Sequence, residues 1–238
     1  MKRRAFLHGA AASAAALAAT RGSAQVASHQ PNNPRTHRSL GEEFLTVPHP
    51  DVASLLPRIE HAGTRRGDML FRPLGNTGVE VSAIGMGGYH LGKSSLTDQE
   101  SIRLIHQGLD RGINFLDNCW DYNNGRSEEV MGKALAQGGY RKKAFVMTKV
   151  DGRTKKAAQQ QLDQSLQRLK IDHIDLLQHH EIIRFEDPDR VFAHEGSMEA
   201  FEDAKKAGKI RFIGFTGHKD PHIHLYMLDD AQIGRAHV

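Results

Sequence analysis

The sequence predicts an α/β fold, a (β/α)8 barrel of the TIM type with about five of its eight units present. Three observations carry this. From residue 83 onward, short apolar runs alternate with longer helical ones, the order expected of a parallel sheet covered by helices. Asp117, Lys149, His180 and Thr216 fall at the carboxyl ends of successive expected strands, at separations of 32, 31 and 36 residues. A barrel collects its chemistry from strand ends on one face in this way. The glycine cluster after the first strand runs Gly85-Met86-Gly87-Gly88-Tyr89-His90, so His90 stands where the G-x-G-x-x-G turn of a doubly wound sheet would need its third glycine.

The elements follow in order. Residues 1–24 start basic, with Lys2, Arg3 and Arg4, continue through an alanine-dominated run and end at Gly22-Ser23-Ala24, the layout of a cleaved signal peptide with Gln25 as the new amino terminus. The apolar run is too short to span a bilayer. Arg3-Arg4-Ala5-Phe6-Leu7 resembles the twin-arginine export signal of bacteria, with Lys2 where Ser or Thr is usual. The expected location is therefore the periplasm, and the export machinery is an expected partner. Residues 25–68 hold five of the eight prolines and little apolar periodicity, which predicts an irregular lead-in. Residues 74–82 place Asn76-Thr77-Gly78 between extended runs, a hairpin. Strands are expected at 83–88, 113–118, 144–150, 173–180 and 210–216. Helices are expected at 99–111, 127–136, 156–169 and 198–207. In the third helix Leu162, Leu166 and Leu169 recur at spacings of four and three, giving one apolar face.

Composition narrows the function. The chain has 238 residues, a net charge of +4 and a pI near 9.2. Residues 1–24 hold four basic side chains and no acid, and without them acids and bases are equal in number. The excess charge sits in a removable segment, so no nucleic-acid partner is expected. Cys119 is the single cysteine, which excludes an internal disulfide. With 39% hydrophobic and 25% charged residues the mix is that of a globular protein.

Each strand-end residue has an ordinary alternative reading: an Asp caps turns, a loop Tyr packs on a surface, a barrel Lys pairs with an acid. Barrel geometry brings them to one mouth, and together they form a proton-transfer device. A tyrosine hydroxyl ionises near pH 10. An ammonium at Lys149 would lower that value for Tyr122, and a carboxylate at Asp117 would keep the ammonium charged and in place. His180 could hydrogen-bond a carbonyl oxygen. Tyr89 and Trp120, in strand-end loops, are candidates to line a substrate pocket, with plain packing as the alternative.

The segments LGNTGVEVSAIGMGGY, GINFLDNCWDYNNGRSEEVMGKAL, VMTKV, IDLLQHH and GKIRFIGFTGH resemble, in order and spacing, the motifs of the aldo/keto reductase family, over about residues 70–228. The resemblance implies a barrel that binds NADPH without a Rossmann domain and reduces aldehydes or ketones to alcohols. Hydride passes to the carbonyl carbon and a tyrosine delivers the proton. Position by position it makes Tyr122 the acid, Lys149 and Asp117 its partners and His180, rather than His179, the residue that orients substrate. The same matching sets Gly88, Asp117, Thr216 and Gly217 about the cofactor. The family usually carries a Ser-Asn pair where Thr216-Gly217 stands, so the expected asparagine contact to the nicotinamide amide has no side chain at Gly217.

Two rival functions are open. His218, His222 and His224 could suggest a metal-dependent hydrolase, but His222 and His224 lie two apart in an expected helix and so face different ways; no metal is expected. A non-catalytic cofactor-binding or sensor barrel is the other. Three of eight units are not found before Val238, and one back-translation of the last seven residues, QIGRAHV, resembles a short-read sequencing adapter. The expectation is a partial barrel over 69–231, an artefactual tail over 232–238, and a truncated, inactive fragment.

Overall fold

The structure, a computed structural model, describes residues 63–230. The expected signal peptide (1–24), the lead-in as far as residue 62 and the tail (232–238) lie outside the described residues.

The described chain opens with β1 (Thr64–Arg66), β2 (Met69–Pro73) and β3 (Glu80–Ser82), an antiparallel sheet in the order β1-β2-β3. Gly67 sits in the β1–β2 turn with φ of +61°, a left-handed conformation glycine takes without steric cost. The sequence reading leaves 64–66 in the irregular lead-in, and the structure corrects it. These three exposed residues show no apolar alternation, and only their pairing with β2 makes them a strand. The expected hairpin is present, but Leu74 belongs to its turn: the Leu74 N–H donates to the Val79 carbonyl at 2.8 Å, and the Thr77 hydroxyl donates to the Leu74 carbonyl at 2.6 Å.

Then follow β4 (Gly85–Gly87), α1 (Gly88–Leu91), α2 (Asp98–Asp110), β5 (Phe115–Asp117), α3 (Arg126–Leu135), β6 (Phe145–Val150), α4 (Lys155–Leu169), β7 (Ile174–His179), α5 (Glu186–Phe192), α6 (Ser197–Lys206), β8 (Ile210–Phe215) and α7 (Pro221–Asp230). Strands β4 to β8 form one parallel sheet in chain order, as strand–helix alternation requires. The five expected strands and four expected helices all occur. The sequence reading assigns nothing to α5, whose Pro188 reads as a breaker yet falls in the helix's first turn, where a missing N–H costs nothing.

The sheet has two buried faces. Outward, Leu116, Val146 and Leu177 pack against helix residues such as Ile105, Leu162 and Phe201 in the main core. Inward, Phe145, Met147 and Leu176 form a second cluster with Phe115 and Phe212, covered by Leu74, Val79 and Val81 of the hairpin. Each such side chain removed from water contributes about 1.5–3 kcal/mol. The hairpin is tied down where β5 begins: the Asn114 side chain accepts from the Ser82 N–H at 2.7 Å and donates to the Glu80 carbonyl at 3.1 Å. That end is closed by apolar packing, which leaves the carboxyl ends of the strands for chemistry. Among the described residues no helix is long and apolar enough to cross a membrane.

Candidate active site

The period of two along each strand decides which side chains reach the interior. In β6, Met147 and Lys149 share the inner face; in β7, Leu176 and Gln178 do, and Lys149 and Gln178 are register partners. Lys149 is therefore buried at the carboxyl end of a fully buried strand. Its ammonium donates to an oxygen of Asp117, to the Asn118 carbonyl at 2.7 Å and to the Tyr122 hydroxyl at 3.5 Å, and lies 4.9 Å from the centre of the Tyr122 ring. Burial acts to lower the Lys149 pKa, but the Asp117 carboxylate outweighs it and the net shift is upward. The ammonium stays charged at neutral pH.

Tyr122 is aimed by the loop after β5. Asn123, Asn124 and Gly125 have φ of 53°, 57° and 90°. Asparagine and glycine are the residues that enter this left-handed region most readily, so Asn-Asn-Gly turns the chain sharply just after the tyrosine. The Asn123 amide secures the turn by donating to the Tyr89 carbonyl at 2.7 Å and the Ser127 hydroxyl at 2.9 Å. Tyr89 meets the Tyr122 ring edge-on at 5.4 Å. The sequence argument expects Lys149 to lower the Tyr122 pKa. The structure corrects this: burial raises it, and the opposing pull of Lys149 is the smaller effect. Tyr122 is held as a neutral phenol with a charge ready to receive its phenolate.

His180 follows β7 and lies 5.9 Å from Tyr122, ring centre to ring centre. Its Nδ1 is 2.8 Å from an Asp151 carboxylate oxygen and 3.2 Å from Cys119 Sγ. Arg153 fixes the backbone beneath it, donating to the carbonyls of His180 at 2.6 Å and Glu181 at 3.1 Å. Cys119, Asp121, Asp151 and His180 bring one ligand-type atom each within 4.8 Å of one another. Burial, and then a hydrogen bond with Asp121, push the Cys119 thiol pKa far up, so the thiol stays protonated. Asp151 and Arg153 escaped the sequence reading; their signal is position, just past Lys149 at the same strand end. His179 faces the other way. It is wholly buried, stacked on Phe201 at 3.9 Å, and burial pushes its pKa down to about 3.

The remaining candidates divide. Gly88 starts α1, and a Cβ there would lie 2.7 Å from the Asn118 side chain, so the close approach requires glycine. Thr216 and Gly217 line a cavity of about 430 Å³ together with Gln178, His224 and the apolar side chains of the inner face. The Thr216 hydroxyl accepts from the Glu181 N–H at 3.1 Å. Trp120 turns toward α4: its indole N–H donates to Gln164 at 2.7 Å and its ring lies under Arg168. The structure places it in outer packing, apart from the Tyr122 group.

A family model described as the aldo/keto reductase family matches residues 83–233. L-galactose dehydrogenase of Arabidopsis thaliana is 31% identical over 176 residues, 70% of this chain and 54% of that protein. Aldo-keto reductase YhdN of Bacillus subtilis is 33% identical over 161 residues, 62% of this chain and 47% of that protein. The chain spans about half the length of these curated relatives. Among solved structures, an aldo-keto reductase from Bacillus halodurans in its holo form aligns with a TM-score of 0.59 and 31% identity, covering 69% of this chain and 55% of that one. Strand order, strand-end chemistry and a match across most of the sequence converge: the chain belongs to the aldo/keto reductase family.

Proposed function

We propose that this protein is an NADPH-dependent oxidoreductase that reduces aldehydes or ketones to alcohols. The observation that carries the reading is the contact chain from Asp117 through Lys149 to Tyr122, with His180 alongside. The nicotinamide cofactor, when bound, supplies the hydride that adds to the carbonyl carbon. The chain's own residues handle the oxygen. Tyr122 keeps its proton in the resting site and gives it to the carbonyl oxygen as negative charge develops there. Lys149 stabilises the phenolate left behind, and Asp117 holds Lys149. His180, whose Nδ1 meets an Asp151 carboxylate oxygen at 2.8 Å, is held in place to orient the carbonyl oxygen. The residues present suit a nicotinamide: an apolar wall at Leu176 and Phe212, with Gln178, Thr216 and His224 lining the polar end of the same cavity.

A panel of aldehydes and ketones tests the reading. The full chain mixed with NADPH should consume the reduced cofactor in the presence of at least one carbonyl. Cofactor binding with no consumption across the panel would favour the non-catalytic sensor or the inactive fragment instead. We further propose export to the periplasm by the twin-arginine route, supported by Arg3-Arg4 ahead of a weakly apolar run. Cell fractionation should find the wild-type chain in the periplasm and the Arg3→Lys, Arg4→Lys double variant retained inside; equal export of the two would contradict it.

A further inference from the structure

Beside the contact chain from Asp117 to Tyr122, the same strand ends assemble a second group of side chains. Cys119 and Asp121 follow β5, Asp151 follows β6 and His180 follows β7. Each offers one atom of a metal-ligating type, and the four atoms lie within 4.8 Å of one another. His180 Nδ1 is 2.8 Å from an Asp151 oxygen, 3.2 Å from Cys119 Sγ and 3.9 Å from an Asp121 oxygen. Zinc bonds of about 2.0–2.3 Å in a tetrahedron hold ligand atoms about 3.3–3.8 Å apart. Two of the three distances from His180 lie close to that range, and the Asp151 contact would open by about 0.5 Å to admit an ion.

The donor set is mixed, with one sulfur, one imidazole nitrogen and two carboxylates. Magnesium and calcium take oxygen ligands, so the sulfur and the nitrogen select zinc or a similar transition metal. The backbone of the group is held in advance. The Cys119 N–H donates to Asn118 Oδ1 at 2.9 Å, the Asp151 N–H to Gln161 Oε1 at 2.9 Å and the His180 N–H to the Val150 carbonyl at 2.9 Å. Arg153 donates to the carbonyls of Asp151 at 2.9 Å and His180 at 2.6 Å, bracing two of the ligands from one side. Cys119 and His180 are buried, whereas Asp121 and Asp151 are partly exposed, which leaves a path for an ion past the carboxylates to the sulfur.

We propose that Cys119 Sγ, Asp121, Asp151 and His180 Nδ1 form a tetrahedral site for a divalent transition-metal ion, zinc in particular. The ion takes the place of the thiol proton, because a coordinated thiol is deprotonated outright. It clips together the ends of three neighbouring strands whose ligands lie about thirty residues apart in sequence. The sequence reading weighs only His218, His222 and His224 as ligands and expects no metal; ligands spread over separate strand ends give no short spacing to find.

The test is titration of the chelator-treated full chain with Co2+, a spectroscopic stand-in for Zn2+. The wild type should develop the near-ultraviolet charge-transfer band of a cobalt thiolate together with visible bands of tetrahedral intensity, and added Zn2+ should abolish both. Cys119 is the single cysteine of the chain, so the band can have no other source. Cys119→Ser should lose it, and Asp151→Asn should keep it while binding Co2+ about tenfold more weakly or worse. Absence of the charge-transfer band in the wild type, with or without Co2+ bound elsewhere, would overturn the proposal; that measurement needs no variant to fold. An Asp151→Asn chain that binds Co2+ as tightly as the wild type would overturn it equally.

Discussion

Tyr122 and His179 show how burial sets what a titratable side chain can do. Burial holds the Tyr122 proton in place despite the ammonium beside it, which suits a group that must give up that proton only when charge builds on a substrate oxygen. His179, buried against Phe201, is kept neutral down to about pH 3. An unfolded histidine takes its proton near pH 6.5, so between these values the unfolded chain binds more protons than the folded one. Stability contributed by His179 is thus present above about pH 6.5 and is lost as the pH falls toward 3, by up to about 1.4 kcal/mol per unit. Urea unfolding at about pH 7 and about pH 5 should show a smaller acid loss in His179→Phe than in the wild type; equal losses would contradict this. The sequence already separated His180 from His179 through its matched position, and strand alternation supplies the physical reason: adjacent residues face opposite sides of the sheet. Trp120 was not legible in the same way. It sits beside Asn118 and Cys119 at a strand end, but its indole hydrogen-bonds Gln164 on a helix distant in sequence, a pairing that no local pattern announces.

Helix α2 carries its start signal in the sequence. Thr97 accepts from the Glu100 N–H at 3.2 Å, and the Glu100 carboxylate accepts from the Thr97 N–H at 2.9 Å, so two amide groups that the helix leaves orphaned are satisfied reciprocally. Thr97→Ala should cost about 1 kcal/mol in equilibrium unfolding. A change within error of zero would mean that packing through Ile105 and Leu109 alone holds the helix end. The long elements were readable because periodicity accumulates over their length. Strand β1 was not, since it has three exposed residues and its backbone pairs only with β2. Helix α5 was obscured by Pro188, a breaker in the middle of a helix and a neutral residue in its first turn.

Across the whole molecule, the parallel order of β4 to β8 makes the site. Asp117, Lys149, His180 and Thr216 lie about thirty residues apart in sequence, yet each follows or ends a strand of one sheet, and that sheet places them together at one end. The spacing alone revealed this convergence. The inward cluster and the hairpin that covers it were less legible, because an apolar residue in a strand buried on both faces carries no sign of the side it takes. The proposed role of the assembled group is to protonate a carbonyl oxygen through Tyr122. Its most direct test is the rate of NADPH consumption with a carbonyl that the wild type turns over, repeated with Tyr122→Phe, and with NADPH affinity measured in both. The rate should fall by about 10²–10⁴-fold in the variant with affinity unchanged. A variant that reduces the carbonyl as fast as the wild type would contradict it.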